Sequence, residues 1–226
     1  MKFRRELDLD LTKPNTNNID IIYSGLDSVI EYIKANLTGE GKFYALLKIS
    51  TAARSGIQRL KDAVQQNDTN VVFAWLARNI FELDLVTRFV LKEPTNYKSL
   101  EKQFYKDEIE MFEGYKLLIE DTVADPGIDA RLKNLRDKWE SVDTEKGMPS
   151  NIREIAEYVG AKEEYQIFYK TYSKYVHPSI WLIFAPSKLK QNPGFRNIFM
   201  MKSQRYAINI YEKVAEAIED QVNKNG

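Results

Sequence analysis

The chain of 226 residues has no cysteine and one histidine, His177. The first absence rules out disulfides, thiolate metal sites and cysteine nucleophiles, and the second any histidine-rich metal centre. Net charge is lacking too. Lys and Arg number 33 and so do Asp and Glu, which argues against a generic nucleic-acid coat while leaving a local basic patch open. No apolar run approaches the ~20 residues of a membrane span. The start, M-K-F-R-R-E-L-D-L-D, has no apolar h-region. There is no glycine-rich phosphate loop, internal repeat or low-complexity segment. These absences predict a soluble, cytoplasmic protein without membrane association, metal or cofactor.

What is present predicts an all-α protein. Hydrophobic residues make up 43% and aromatics 12%, mostly Tyr and Phe, enough for a core with an aromatic interior. The length suits an N-terminal arm over 1–18 and one helical domain over 19–226, a bundle of about seven to eight helices. In the arm, Leu7, Leu9 and Leu11 alternate with Asp8 and Asp10, a pattern for a short extended contact. Apolar spacing of three and four predicts helices over 18–36, 42–66, 71–92, 97–122, 128–139, 151–159, 165–177 and 197–222. The breaks between them carry Gly39 and Gly41, Asn67 to Asn70, Pro94, Asp125-Pro126-Gly127, and Gly147 with Pro149. Ser150 is the expected cap of the sixth helix and Gly160 its terminator. The acid-rich fourth helix reads as a solvated face.

The helix over 71–92 is apolar nearly all round, so it belongs at the centre. Its polar residues are therefore informative. Arg78 and Glu82 stand four apart on one face, with Asn79 beside them. Buried charges must be paired or line a wet cavity. The plain alternative is an Arg–Glu pair within one helix, although Arg before Glu is the weaker order.

Residues 165–181, Y-Q-I-F-Y-K-T-Y-S-K-Y-V-H-P-S-I-W, hold the histidine and four tyrosines. Helical spacing puts Tyr165, Tyr169, Tyr172, Ser173 and Val176 on one face, and His177 extends it. Pro178 disfavours helix for the residue before it, so the imidazole falls at a helix C-terminus, where the dipole favours the charged ring. The ring is expected to turn back toward Ser173 and Tyr169. A histidine of the core, satisfied by a hydroxyl or carbonyl, is the alternative. From His177 to residue 211 there is no acid, while Lys188, Lys190 and Arg196 supply positive charge.

Three stretches carry a resemblance. They are R-S-G-I-Q-R-L-K-D-A-V (54–64) with A-R-N-I-F-E-L (77–83), M-P-S-N-I-R-E-I-A-E-Y-V-G (148–160), and Y-K-T-Y-S-K-Y-V-H-P-S (169–179). Over roughly residues 45–215 the chain resembles a bacterial all-helical family of unknown function with the patterns Arg-x3-Glu and Tyr-x3-Ser-x3-His-Pro. Those positions are Arg78, Glu82, Tyr169, Ser173, His177 and Pro178 here. More loosely, the chain is similar to the HEPN superfamily of helical nucleases, toxins and nucleotide-associated domains. Its nucleases place an arginine a few residues before a histidine on one helix. Lys170, Thr171 and Tyr172 occupy those places here, so Arg78 would supply the cation from another helix.

Two functions follow as expectations. The first is a binding or regulatory module of a bacterial defence or stress system, built on the Arg-Glu-Tyr-Ser-His cluster. It would grip a small anionic ligand and meet a protein partner or a second copy. The second is a metal-independent ribonuclease or toxin. His177, Arg78, Glu82 and Ser173 would do the chemistry; Tyr169, Tyr172, Asn79, Lys188, Lys190 and Arg196 would hold the ligand or RNA. Balanced charge and the displaced arginine favour the module.

Overall fold

The structure, a computed structural model, describes residue 9 and residues 15–37, 41–119, 126–144, 147–149, 151–177 and 179–225. Described residues form helices and connecting turns, without a strand. The longer helices are α1 (Thr16–Asn36), α2 (Gly41–Gln65), α3 (Asn70–Lys92), α4 (Asn96–Ile119), α5 (Pro126–Ser141), α6 (Ile152–Tyr158), α7 (Lys162–Val176) and α10 (Pro193–Asn225). Two short ones, α8 (Ile180–Phe184) and α9 (Ser187–Lys190), join α7 to α10.

Local chemistry sets the boundaries. Asn15 caps α1 by accepting from the Asn17 N–H at 3.0 Å. Helix α1 therefore takes in residues 16–18 of the expected arm, and Asn18 is buried in it. Apart from Leu9 and Asn15, the rest of the arm lies outside the described residues. Asn151 caps α6, accepting from Glu154 N–H at 3.0 Å; the expected cap, Ser150, lies outside the described residues. Gly160 stops α6 with φ of 77°, a conformation that suits glycine. Helix α10 begins at Pro193, earlier than periodicity predicted, because proline is well placed in the first turn of a helix.

Helix α3 packs against α10, α2, α7, α6 and α4. Phe73, Ala77, Ile80, Phe81, Leu85 and Val90 are buried in one continuous core with residues of α1, α2, α6, α7 and α10. Large apolar side chains of this kind each contribute about 1.5–3 kcal/mol on full burial. Gly56 lets α2 close on α3, since a Cβ there would stand 3.1 Å from Ile80 Cγ1. At the far side of α10, Asn18 donates to Gln204 at 3.2 Å and Gln204 donates to the Asn15 carbonyl at 3.1 Å, stitching α1 to α10.

Helices α4 and α5 form an antiparallel hairpin that meets the body through the start of α4. Ile128, Leu132 and Leu135 of α5 bury against α4. Ser99 and Lys102 of α4 bond to Thr144 and the Val142 carbonyl at the base.

Candidate functional site

Helix α7 runs antiparallel along α3. Its last backbone bond, His177 N–H to the Ser173 carbonyl at 3.2 Å, leaves His177 as the C-cap with extended backbone (φ −102°, ψ 151°). That conformation is the one a residue before proline prefers; Pro178 itself lies outside the described residues. Ser179 then fixes the chain's exit. It donates to the Lys174 carbonyl at 2.9 Å and caps α8 by accepting from the Leu182 N–H at 3.1 Å. Trp181 of α8 packs on Tyr175 with ring centres 4.8 Å apart.

Arg78 is the hub that this geometry creates. Its Nε donates to Glu82 Oε1 at 2.8 Å, one terminal nitrogen meets His177 Nε2 at 2.7 Å, and the other donates to the Tyr169 hydroxyl at 3.0 Å. The guanidinium also lies 4.7 Å from the Tyr169 ring centre, and Tyr165 stacks behind that ring at 4.5 Å. Burial and the adjacent Tyr169 push the Tyr165 phenol up. The Arg78 side chain is 16% exposed and Glu82 30%, so the pair sits at a rim rather than in the core.

The histidine differs from the expectation. A guanidinium has only donors, so the contact requires a lone pair on His177 Nε2, with the ring proton on Nδ1. The ring turns to Arg78 and remains exposed, rather than closing on Ser173. The Ser173 hydroxyl donates to the Lys170 carbonyl at 3.0 Å, the local back-bond a helical serine readily makes. Tyr172 is corrected as well. It is fully buried, packed among Phe81, Phe168 and Phe199, so it is a core residue and does not line the site. Its phenol is pushed up by burial, as is that of neighbouring Tyr206.

Asn79 and Glu82 open onto a groove of about 550 Å³ between α2, α3 and α6. Trp75, Arg59, Met148 and Ile152 form its walls. Met148 and Ile152 come from the 148–160 stretch, whose chemistry was not legible beforehand. Lys188, Lys190 and Arg196 stand elsewhere. Asn70 at the start of α3 donates to the Lys190 and Asn192 carbonyls at 2.8 and 3.0 Å. Arg196 donates to Asn67 at 2.5 Å and covers the Phe73 ring at 4.6 Å. Phe73 precedes Arg78 by more than one turn of α3, so Arg196 and the Lys190 backbone hold the loop to the helix start, away from the hub.

A second polar centre went unread. Asp84 of α3 is fully buried and accepts from Arg88, whose other terminal nitrogen is 3.6 Å from Glu164 of α7. Burial pushes the Asp84 carboxyl up and Arg88 pulls it back down. Among the described residues no group of three acids or histidines could hold a metal ion, and no helix is long and apolar enough to cross a membrane.

Fold and site together define an all-helical protein with a polar hub clamped between a central helix and the C-terminal end of its neighbour. The chain belongs to a family of unknown function, DUF5677, whose model matches residues 66–192. That span runs from the end of α2 to the start of α10, so it contains both ion pairs and His177 and is narrower than the resemblance over 45–215. No curated protein and no solved structure matches the chain.

Proposed function

We propose that this protein is a binding or regulatory module whose ligand occupies the groove beside Trp75 and is read at its polar end by Asn79, Glu82 and Arg78. One observation carries the reading. Each of the three nitrogens of Arg78 already serves a protein partner, Glu82, Tyr169 or His177, while Glu82 also faces the groove. An anionic ligand head competes with Glu82 for Arg78. Because the same guanidinium holds His177, such an exchange links occupancy of the groove to the end of α7. A defence or stress-response setting, with a partner protein reading that end, fits this design.

The test is native mass spectrometry of the purified protein beside Trp75→Ala and Asn79→Ala. The expected result is a small bound molecule that both variants lose. A bound species retained by both variants, or an empty wild-type protein, removes the groove as the site.

A metal-independent ribonuclease is the second reading. It rests on the exposed His177 beside a cation and on the acid-free stretch that follows it. In this reading the bond from Arg78 to Nε2 opens so that the ring can exchange a proton with RNA. RNA cleavage in chelator, abolished by His177→Ala, is its expected signature. Intact RNA over a broad pH range eliminates it.

A further inference from the structure

Charge is balanced over the chain but not along it. Between Glu164 and Glu212 stand seven of the 33 cations and none of the 33 acids. Inside that interval lies α8, a helix of five residues, I-W-L-I-F. Its inner side packs on the body, with Trp181 against the Tyr175 ring. Ile180, Ile183 and Phe184, at the helical spacing of three and four, share the opposite side and are 74%, 60% and 77% exposed. Single exposed apolar residues are ordinary, whereas large ones clustered on one turn mark a contact surface.

The turn is held in place. The Ser179 hydroxyl caps its start, and at its other end Lys190 Nζ donates to the Ile183 carbonyl at 3.5 Å. Asn70 of α3 grips the carbonyls of Lys190 and Asn192. The apolar side chains are therefore presented from a fixed support. Lysines border them. Lys174, whose carbonyl accepts from Ser179, is exposed on the last turn of α7. Lys188 is exposed on α9, and the Lys190 ammonium reaches the end of α8.

We infer that α8 is a membrane-surface anchor. Ile180, Ile183 and Phe184 enter the interface of an anionic bilayer, and Lys174, Lys188 and Lys190 meet its phosphate headgroups. The chemistry of the border favours this occupant. Lysine stems lie along hydrocarbon while the ammonium stays at headgroup level. Arginine is the fork suited to a bidentate grip on nucleic acid or protein carboxylates. Arg196, the arginine next along the chain, is engaged instead with Asn67 and the Phe73 ring.

Shape favours a bilayer too. One helical turn offers a folded partner little surface to match, whereas fluid lipid closes around a protruding tip of any outline. RNA would leave the aliphatic side chains in water, and a second copy would set like charges face to face. The inference departs from the expectation of no membrane association, which rested on apolar run length alone. A surface contact needs no span, so it is compatible with a chain that has no membrane-crossing helix among its described residues. The tip is separate from the groove beside Trp75, so the binding-module reading stands or falls independently of it.

The experiment is flotation of the full chain with vesicles of phosphatidylglycerol and phosphatidylcholine in equal parts, and with phosphatidylcholine alone. A fluorescent RNA oligonucleotide and polyglutamate are titrated in parallel. Flotation with the anionic vesicles is expected to exceed that with neutral ones by about tenfold or more, and to weaken with salt. Ile183→Glu/Phe184→Glu and Lys174→Glu/Lys188→Glu should each lower it by about tenfold with unchanged helical circular dichroism. Leu118→Glu, at an open apolar position of α4, should leave it unchanged. A wild type that floats with neither vesicle, or equally with both, overturns the proposal. Binding of RNA or polyglutamate without flotation overturns it in favour of that partner. Flotation that survives Ile183→Glu/Phe184→Glu overturns it as well, since charge alone then holds the chain.

Discussion

Helix α3 carries two ion pairs of identical spacing and opposite order, and they sit at different depths. Arg78–Glu82 lies at a rim, with its acid 30% exposed and an exposed histidine on the far side of the guanidinium. Asp84–Arg88 has its acid fully enclosed, with Asn209 and Tyr206 of α10 nearby. Both arginines reach across to α7, one to Tyr169 and His177 and the other toward Glu164. The sealed pair is held between helices. The rim pair can exchange partners with solvent or ligand, because its carboxylate and the imidazole remain reachable. Motif spacing therefore does not separate a sealed pair from a reachable one; depth and neighbouring helices do.

The sharpest way to break this comparison is to remove one arginine at a time. Arg88→Met strands a buried carboxylate and is expected to lower unfolding free energy by roughly 3–5 kcal/mol at neutral pH. Asp84 already has a folded-state pKa above its ordinary value, and losing Arg88 raises it further. An acid raised in the folded state destabilises once pH rises above its unfolded value, and the penalty vanishes below it. The deficit of Arg88→Met should therefore shrink as pH falls below about 4, read by urea unfolding across pH. An equal deficit at pH 3 and pH 7 would place its origin in lost packing instead.

Arg78→Ala should cost less, about 1–2 kcal/mol, since Glu82 and His177 gain water when they lose their partner. It should also move the ring resonances of the single imidazole in NMR spectra at fixed pH, because the Arg78 contact is lost, while Arg88→Met leaves them in place. If Arg78→Ala proves as costly as Arg88→Met, the rim and core pairs do not differ as described.

A third measurement concerns the aromatic wall between the two pairs. The Tyr172 and Tyr206 hydroxyls are buried facing each other, with no bond of good geometry to any group, and burial pushes both phenols up. Phenols raised in the folded state give stability that is complete below the unfolded value near 10 and is lost as pH climbs beyond it. Tyr206→Phe is expected to be neutral or to stabilise by about 1 kcal/mol, because it removes a buried hydroxyl whose one polar neighbour, the Tyr172 hydroxyl, is poorly placed for a bond. The alkaline unfolding transition should move upward with it. A loss of more than that amount would reveal a bond the hydroxyl depends on.

The smallest effect belongs to His177→Ala. Its ring is exposed, so stability should change by less than about 0.5 kcal/mol, measured by thermal melting. A larger loss would move the histidine from the reachable side of the comparison to the structural one.

The approach of Arg78 and Glu82 to Tyr169 and His177 was legible because charges in an otherwise apolar helix need partners, and Pro178 marks where the next helix stops. Asp84 obeys the same logic. It lies between Leu83 and Leu85, four residues before Arg88, and only the placement of α10 over that side makes it interior. Ser173 was misread because spacing alone cannot say that a hydroxyl will turn onto its own helix. Tyr172 was misread because one face of α7 serves both rim and core, and the boundary depends on where Phe199 of α10 arrives. The acid-rich α4 did give the predicted solvated character, yet Ile109 and Phe112 turn toward α5 while Phe104 and Met111 stay open. Periodicity finds an apolar face without telling which neighbour covers it.

The stitch between Asn18 and Gln204 joins positions 186 residues apart in sequence. Contacts of that reach are slow to form, because the intervening chain must be ordered or looped first. The α4–α5 hairpin, whose partners are near in sequence, can zip early and wait. The hairpin is therefore expected to form ahead of the docking of α10 on α1 and α3. Because Tyr206 and Asn209 of α10 meet Phe81 and Asp84, a chain with α10 undocked would turn both toward water and open the core to aggregation and to proteases.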